Sequence, residues 1–337
     1  MKMNKNVRKQ GKKQIKTNLM RCCRPDSGSV DLTTRIKDVV FRNPLTVASG
    51  TFGTKDEYAP FVDIERLGAV ITKTITVKPR RGNPMPRICE AAAGMLNAIG
   101  LQNKGLQDFI EDKIPYFEKK DVPLIVNIAG ESTDEFRMLV STLTKYRHVV
   151  KAIELNLSCP NVEKGGVSAM RKRDVILDIV RTARSETDLL LIAKLSPELG
   201  DLIEIAGELV SIGIDALSLI NTLKGMAVDV RKRCSKMAKI TGGLSGPAIK
   251  PVALRYVYEV KKKYKIPVIA SGGIMTAIDA LEFLVVGADL VAVGTANFVQ
   301  PTATLDILDG IKEFCVQNHI ACLDDLRGSF KENRPAT

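Results

Sequence analysis

The chain has 337 residues, of which 45% are hydrophobic, and a formal net charge of +12 at pH 7. This length suits one large barrel or two ordinary domains, and the apolar fraction is sufficient for a sizeable core. The apolar stretches are short and interrupted by glycine, proline or charged residues, so no membrane span is predicted.

The cysteine and histidine content argues against disulfide and metal chemistry. The seven cysteines are scattered and include no C-x-x-C pair. An odd, scattered set with no secretory signal is typical of a reducing compartment, so a cytoplasmic protein is expected. His148 and His319 are the only histidines. A histidine metal cluster is therefore not expected, and the chain is predicted to hold no metal of its own.

Most of the positive charge lies at the N-terminus. Residues 1–30 contain nine Lys or Arg and one acid, Asp26, which gives +8 and leaves +4 for the other residues. The segment lacks apolar periodicity and ends in Pro25-Asp26-Ser27-Gly28-Ser29, so a basic, disordered extension is predicted. It has no apolar h-region, and an extended translation start is favoured over an organellar presequence. The charge is therefore weak support for nucleic-acid binding.

From residue 31 onwards, short apolar runs alternate with longer amphipathic stretches. Continuous apolarity of this kind is typical of parallel strands that are buried on both faces. The predicted strands are Leu45–Ala48, Ala69–Lys73, Leu124–Ile128, Ala152–Leu157, Leu189–Leu195, Ala216–Ile220, Val268–Ala270 and Leu290–Val293. The predicted helices are Lys104–Lys119, Thr133–Tyr146, Lys172–Ser185, Leu202–Ile212, Ala248–Lys263 and Thr276–Val286.

Eight strand–helix units predict an α/β fold, a (β/α)8 TIM barrel formed by a single domain over residues 31–337. A doubly wound sheet is the alternative, but no G-x-G-x-x-G follows the first strand. Residues 75–100 contain Pro79, Pro84 and Pro86 with Gly82 and Gly94. This composition predicts an inserted segment over the C-terminal mouth of the barrel.

Polar side chains follow the predicted strands at the same end. Asn127, Asn156 and Asn221 are joined there by Lys73 and Lys194. The carboxyl ends of barrel strands meet at one mouth, so these residues predict a single ligand site.

A short segment delivers a thiol to the same rim. The alternating apolar residues of Ile153–Leu157 predict a strand, and Pro160 ends it because proline has no N–H for the ladder. Cys159 is thereby placed at the strand's C-terminal end, beside Asn156 and Asn161. A lone cysteine is more often a small buried residue, but these flanking amides favour a catalytic role.

Glycines follow the last two predicted strands. Gly272-Gly273 and Gly294-Thr295 expose backbone N–H groups where barrels commonly bind phosphate. Gly246 offers a further close approach of the backbone. Either pair alone is typical of an ordinary turn. Together they predict a cofactor that carries a phosphate.

From Asp31 to about residue 312 the chain resembles the class 1 dihydroorotate dehydrogenases, flavoproteins of pyrimidine synthesis. The resemblance is carried by several segments, which together span nearly the whole barrel. They are Ala48–Gly53, Lys73–Thr76, Asn97–Asn103, Glu154–Asn161, Ala193–Pro197, Ile220–Thr222, Gly242–Ala248 and Ser271–Ile274.

The details of these segments resemble one subclass. Cys159 stands where the class 2 enzymes have serine, which indicates class 1. Asn97–Leu101 and Gly242–Ala248 look more like subclass 1B, the NAD-linked type, than like the fumarate-using subclass 1A. The resemblance implies oxidation of (S)-dihydroorotate to orotate in de novo pyrimidine biosynthesis, with FMN as cofactor.

The resemblance also implies roles for individual residues. Cys159 would be the catalytic base, and Lys194 would lie beside the flavin. Independently of the resemblance, the composition of residues 162–170, which include Gly165 and Gly166, predicts a lid over Cys159. The implied cofactor-binding residues are Ser49, Lys73, Thr74, Asn127, Asn156, Lys194, Ile220, Gly246, Gly272, Gly273, Gly294 and Thr295. The implied substrate-binding residues are Lys73, Asn97, Ala98, Ile99, Gly100, Leu101, Asn156, Asn221 and Thr222.

The implied partner is an electron-transfer subunit that carries FAD and a [2Fe–2S] cluster, because the sequence offers no evident place for either group or for NAD. Two catalytic and two electron-transfer chains would form a heterotetramer, with no nucleic-acid or membrane partner. Alternatives are a 1A-like homodimer that uses fumarate, a dihydropyrimidine dehydrogenase-like barrel, and an RNA-acting barrel like the dihydrouridine synthases.

Overall fold

The computed structural model describes residues 30–53, 55, 57–157 and 169–332, without the side chains of 169–172. Except for Val30, the predicted basic extension lies outside these residues. Cys159, Asn161 and nearly all of the predicted lid lie outside them too. The predictions for these segments, and the single-domain assignment of residues 31–337, therefore stay predictions.

The core of the fold is a sheet of eight parallel strands that curves into a nearly closed barrel. All eight predicted strands are confirmed, with ends that differ by at most two residues: Leu45–Val47, Val70–Ile71, Leu124–Ile128, Val150–Asn156, Leu190–Leu195, Ala216–Leu219, Val268–Ser271 and Leu290–Val293. The last strand pairs with the first, with Val291 opposite Leu45. The Gly68 N–H donates to Leu45 O at 2.8 Å and links the first strand to the second. The (β/α)8 barrel is confirmed, and the doubly wound alternative is wrong.

Helices cover the outside of the barrel. They are Gly105–Asp108, Ile114–Phe117, Thr133–Thr144, Ala169–Glu186, Leu202–Ser211, Lys250–Lys263, Ala277–Val285, Ala296–Val299 and Ala303–Gln317. A π-helical turn, Phe109–Lys113, joins the first two, and 3₁₀ turns lie at Ile64–Arg66, Pro197–Leu199, Pro247–Ile249 and Leu323–Asp325. The six predicted helices are confirmed with shifted ends, and the first of them contains the π-helical turn; Ala296–Val299 and Ala303–Gln317 were not predicted.

The barrel strands pack against two apolar clusters, one on each face of the sheet. One fills the space between strands and helices, and the other lies inside the barrel and consists of alternate strand residues such as Ala152 and Ile192. The hairpin formed by Thr34–Ile36 and Val39–Phe41 contributes Ile36 and Phe41 to the inner cluster. The hairpin turn lies at the strands' N-terminal end, where the Lys37 ammonium contacts Asp215 at 3.1 Å. It therefore closes the bottom of the barrel with apolar side chains.

Towards the other end the inner side chains become polar. On the fourth barrel strand Ala152, Glu154 and Asn156 share one face, because alternate residues of a strand point the same way. On the fifth strand Ile192 and Lys194 do the same. The sequence thus fills the bottom of the barrel with apolar groups and leaves hydrogen-bonding groups near the mouth.

A second, antiparallel sheet stands at the mouth. Its strands, in spatial order, are Leu223–Gly225, Gly242–Ser245, Gly94–Asn97 and Ile88–Ala91. The predicted insertion over residues 75–100 supplies two of them and is confirmed. The other two belong to an insertion after the sixth barrel strand, which also contains the ribbon of Val228–Asp229 and Cys234–Ser235. That second insertion was not predicted.

Candidate active site

The floor of the mouth is formed by Asn127, Glu154 and Lys194, from the third, fourth and fifth strands. Glu154 is fully buried, and its Oε1 accepts a hydrogen bond from Asn127 Nδ2. The same oxygen lies 3.8 Å from Lys194 Nζ. The Asn127 backbone N–H donates to Thr72 Oγ1 at 3.1 Å. Asn127 Oδ1 and Glu154 Oε2 are buried and have no hydrogen-bond partner among the described residues.

Above this floor, amides line the rim. Asn156 lies opposite Lys194 in the register of the fourth and fifth strands. Asn221, just beyond the sixth strand, donates from Nδ2 to Asn156 Oδ1 at 3.3 Å. Its own Oδ1 accepts from the Thr222 N–H at 2.8 Å, which fixes the amide. The predicted site residues Asn156 and Asn221 are therefore hydrogen-bonded to each other, and Lys194 lies on the strand next to Asn156.

The first two strands end beside each other. Ser49 Oγ and Thr74 Oγ1 are 3.4 Å apart. Lys73 is half-buried, and burial lowers the pKa of its ammonium; the positive charge of Arg87 lowers it further, while the Glu57 carboxylate acts in the opposite direction. A bound anion would favour the charged form of Lys73, so this corner suits a ligand that carries negative charge.

The predicted substrate segment 97–101 is held by the insertion sheet. Asn97 Nδ2 donates to Gly243 O at 3.3 Å. The Asn83 side chain donates to Ala98 O at 2.9 Å, and its backbone N–H donates to the carbonyl of the next residue, Ile99, at 3.0 Å. These bonds fix the backbone before a ligand is bound.

Gly100 and Leu101 complete that segment in the left-handed region, with φ of +76° and +56°. A side chain on Gly100 would approach the Asn83 backbone nitrogen to 2.7 Å, so glycine is required there. Arg87 fixes the same loop by donating to Asn83 O and, at 2.6 Å, to Gln102 Oε1.

Glycines form a close corner after the seventh strand. Gly273 has φ of +76°, and a Cβ there would lie 2.6 Å from Lys250 Cβ and 2.7 Å from Lys250 N. The first turn of helix Lys250–Lys263 therefore packs directly on the glycine backbone. The Lys250 ammonium itself is paired with Asp279 at 2.7 Å and Glu282 at 2.9 Å.

The eighth strand ends in the same corner. A Cβ on Gly294 would be in van der Waals contact with Ala48 Cβ at 3.4 Å and with Thr51 Cγ2 at 3.8 Å, so the end of the first strand packs on this backbone. Thr295 Oγ1 donates to Ser245 Oγ at 2.8 Å. Gly246 is buried against Gly94, whose Cα would lie 2.6 Å from an added Cβ. Bare backbone from two strand ends and the mouth sheet therefore converges here.

Sequence reasoning missed three residues of this site. Glu154 begins one of the segments that carry the family resemblance, but no role was predicted for it. The signal for a role was a carboxylate two residues before Asn156 in an otherwise apolar strand. Asn83 and Arg87 were missed because their task is to hold backbone carbonyls, which no residue pattern of the sequence reveals. Ile220, predicted at the cofactor, is buried at the end of the sixth strand.

Two features are absent from the described residues. No helix among them is long and apolar enough to cross a membrane. In the same part of the chain, no group of three or more His, Cys, Asp or Glu side chains is arranged to hold a metal ion.

The fold and its polar mouth define a (β/α)8-barrel enzyme. The sequence profile of the dihydroorotate dehydrogenases matches residues 31–315, and the chain belongs to that family. The resemblance predicted from the sequence motifs is thereby confirmed.

The relatives extend this result. A catalytic subunit of dihydroorotate dehydrogenase B (NAD(+)) from Geotalea uraniireducens is 47% identical over 303 residues, covering 90% of this chain and 99% of the relative. A subunit of the same name from Desulforamulus reducens is 45% identical over 300 residues, covering 89% and 98%. The crystal structure of DHODH from Eimeria tenella in complex with ferulenol matches with a TM-score of 0.72 and 25% identity, covering 90% and 89%.

The dihydroorotate dehydrogenase family is FMN-dependent, and the described residues fit this cofactor. Asn127 Oδ1 is a buried acceptor to which none of the described residues donates, and the imide N–H of a flavin ring is a donor of the right kind. The backbone at Gly273 and Gly294 lies where barrels bind phosphate, after the seventh and eighth strands.

Proposed function

We propose that this chain oxidises (S)-dihydroorotate to orotate in de novo pyrimidine biosynthesis, and that the electrons pass to NAD through a partner subunit. The observation that carries the proposal is the convergence of Asn156, Asn221 and Lys194 at the mouth. Asn156 lies opposite Lys194 in the strand register and accepts from Asn221 at 3.3 Å. Two amides at the rim and an ammonium on the floor beside them suit a small, planar, anionic ring.

The amides bind and orient the substrate. A pyrimidinedione ring alternates N–H donors with C=O acceptors, and an Asn side chain offers both kinds of group. We assign this contact to Asn97, Asn156, Asn221 and Thr222, with the backbone of residues 98–101. Lys73 would contact the substrate carboxylate, whose negative charge would act against the burial and the Arg87 charge that lower the pKa of the ammonium.

Desaturation of the ring requires loss of a proton from C5 and a hydride from C6. FMN, when bound, supplies the hydride acceptor. Cys159, which lies outside the described residues, is proposed as the base that takes the C5 proton. The Lys194 ammonium would stabilise the negative charge that develops in this water-poor site.

The cofactor contacts are proposed from position. Ser49, Thr74, Asn127 and Ile220 lie around the floor and rim where the ring would rest. Gly246, Gly272, Gly273, Gly294 and Thr295 lie in the corner after the last two strands and would hold the phosphate. Bare N–H groups at this place are well suited to an anion.

The partner is proposed from the relatives. The name "catalytic subunit" implies a separate subunit that transfers electrons. We propose that it carries FAD and a [2Fe–2S] cluster and forms a heterotetramer of two catalytic and two electron-transfer chains. The scattered cysteines favour a reducing compartment, and we place the enzyme in the cytoplasm.

The isolated chain with bound FMN is expected to reduce artificial dyes with dihydroorotate but not NAD. Adding the electron-transfer subunit should start NADH formation, because that subunit supplies the route to NAD. The measurement is absorbance at the NADH band with and without the partner, and a mixture lacking dihydroorotate is the control. Efficient turnover with fumarate by the chain alone would contradict the NAD-linked assignment while leaving the oxidation of dihydroorotate intact.

A further inference from the structure

Glu154 is a fully buried carboxylate for which the proposed mechanism has no use. It points into the barrel from the fourth strand, one inward-facing position deeper than Asn156. Burying an ionised carboxylate is costly unless a counter-ion and hydrogen bonds compensate it. An apolar side chain would fill the same layer of the barrel at no such cost. The presence of a charge at this depth therefore requires an explanation.

The compensating charge is Lys194. Its side chain is 9% exposed, and its Nζ lies 3.8 Å from Glu154 Oε1. Among the described residues, Glu154 is the only carboxylate within ion-pair distance of this ammonium, and the ammonium makes no hydrogen bond to any of them. The neighbours of Lys194 in the strand register, Asn156 and Ser218, are neutral. The electrostatic attraction that holds the ammonium in the barrel thus comes from one side chain.

Glu154 is itself held in place. Asn127 Nδ2 donates to its Oε1, and the Asn127 backbone is bonded to Thr72 Oγ1 at 3.1 Å. Polar contacts thus connect Thr72, Asn127, Glu154 and Lys194, from the end of the second strand to the fifth strand. The last of these residues carries the ammonium at the mouth. Glu154 Oε2 is buried and has no hydrogen-bond partner in the described part of the chain. It could therefore accept a hydrogen bond from the ammonium if the lysine side chain moved closer.

We infer that Glu154 is a positioning residue that holds the Lys194 ammonium against the reacting ring of the cofactor. The inference rests on the proposed FMN site. Without the carboxylate, the flexible lysine chain is free to leave the floor for the wetter rim, and the charge that favours the reduced flavin moves away. Glu154 acts only through Lys194 and need not touch substrate or cofactor.

The sign of a change in the flavin midpoint potential tests this inference. Glu154→Gln keeps the shape and an acceptor oxygen for Asn127 but removes a negative charge. By Coulomb's law alone, that removal would stabilise the electron-rich reduced flavin and raise the potential. Positioning predicts the opposite, a lower potential, because the ammonium is no longer held. In a Lys194→Met background, Glu154→Gln should no longer lower the potential, since no ammonium remains to be misplaced.

A second readout is the rate of flavin reduction by dihydroorotate, which should fall roughly 10-fold or more in Glu154→Gln, because small displacements of a catalytic group are costly. The matched control is Glu208→Gln, which removes a carboxylate from the outer ion pair with Arg173 at 2.6 Å. It should leave potential and rate unchanged. Thermal unfolding of each holoenzyme verifies that the variants are folded.

The outcomes separate the two proposals. A flavoprotein whose potential rises in Glu154→Gln, or falls equally with and without Lys194, overturns the positioning role and leaves the proposed function standing. A purified chain that binds no FMN overturns the proposed cofactor site, and the role of Glu154 with it. A lower potential that depends on Lys194 supports the inference even if another substrate reduces the flavin.

Discussion

Cys159→Ala is expected to slow flavin reduction by dihydroorotate about 100-fold or more, the usual scale for losing a general base. FMN content and orotate binding should be retained, because neither depends on a thiol. Stopped-flow absorbance of the bound flavin measures the rate. Cys159→Ser should keep some activity at high pH only, because a hydroxyl loses its proton at a much higher pH than a thiol does.

The matched control for this prediction is Cys234→Ala. Cys234 is an exposed, free cysteine on the second insertion at the mouth, so its removal tests whether thiols in general matter. Its variant should reduce flavin at the unmodified rate. An unchanged rate in Cys159→Ala would remove that residue from the mechanism.

Gly273→Leu is expected to yield apoprotein. The backbone has φ of +76°, and an added Cβ would lie 2.6 Å from Lys250 Cβ and 2.7 Å from its backbone nitrogen. The first turn of helix Lys250–Lys263 would have to move, and the bulky side chain would occupy the proposed phosphate corner. The flavin absorbance of the purified protein, relative to its protein absorbance, measures the loss.

Gly200→Leu is the control for Gly273→Leu. Gly200 has φ of +91° but nothing within 4 Å of an added Cβ. Both variants carry the strain of a left-handed residue, about 1–3 kcal/mol, but only one carries the clash. Gly200→Leu should therefore keep its FMN. Full flavin content in Gly273→Leu would show that the phosphate lies elsewhere.

The barrel was predictable because its strands are buried on both faces. Leu124–Ile128 and Leu190–Leu195 have all residues buried, so continuous apolarity in the sequence marks them directly. Buried parallel strands of this length, alternating with amphipathic helices, leave few architectures open. The site at the mouth was predictable once the barrel was, because a parallel barrel brings the carboxyl ends of its strands, and the polar residues that follow them, to one end.

The mouth sheet was only half predictable. Gly242–Ser245 pairs with Gly94–Asn97, nearly 150 residues away in sequence, for instance Ser245 with Met95. These strands are short, glycine-containing and partly exposed, so they lack the period-two alternation that marks a half-buried strand. The composition of residues 75–100 indicated an insertion, but nothing local indicated its partner. Pairing at long range was decided by the tertiary fold.

The role of Glu154 was unpredictable for a different reason. A glutamate in a sequence motif does not reveal whether its carboxylate faces solvent, a helix or the barrel interior. Only its burial, its bond from Asn127 and its 3.8 Å approach to Lys194 define its environment. Sequence patterns locate residue types on elements, whereas the pairing of charges depends on side-chain positions across neighbouring strands.

The oxidation of dihydroorotate by this chain is tested most directly by an anaerobic single-turnover experiment. The purified chain with bound FMN is mixed with excess (S)-dihydroorotate, and the flavin absorbance and the orotate formed are followed together. Rapid loss of the oxidised flavin band is expected, with one orotate formed per flavin reduced. A flavin that stays oxidised, or one that is reduced without formation of orotate, would contradict it.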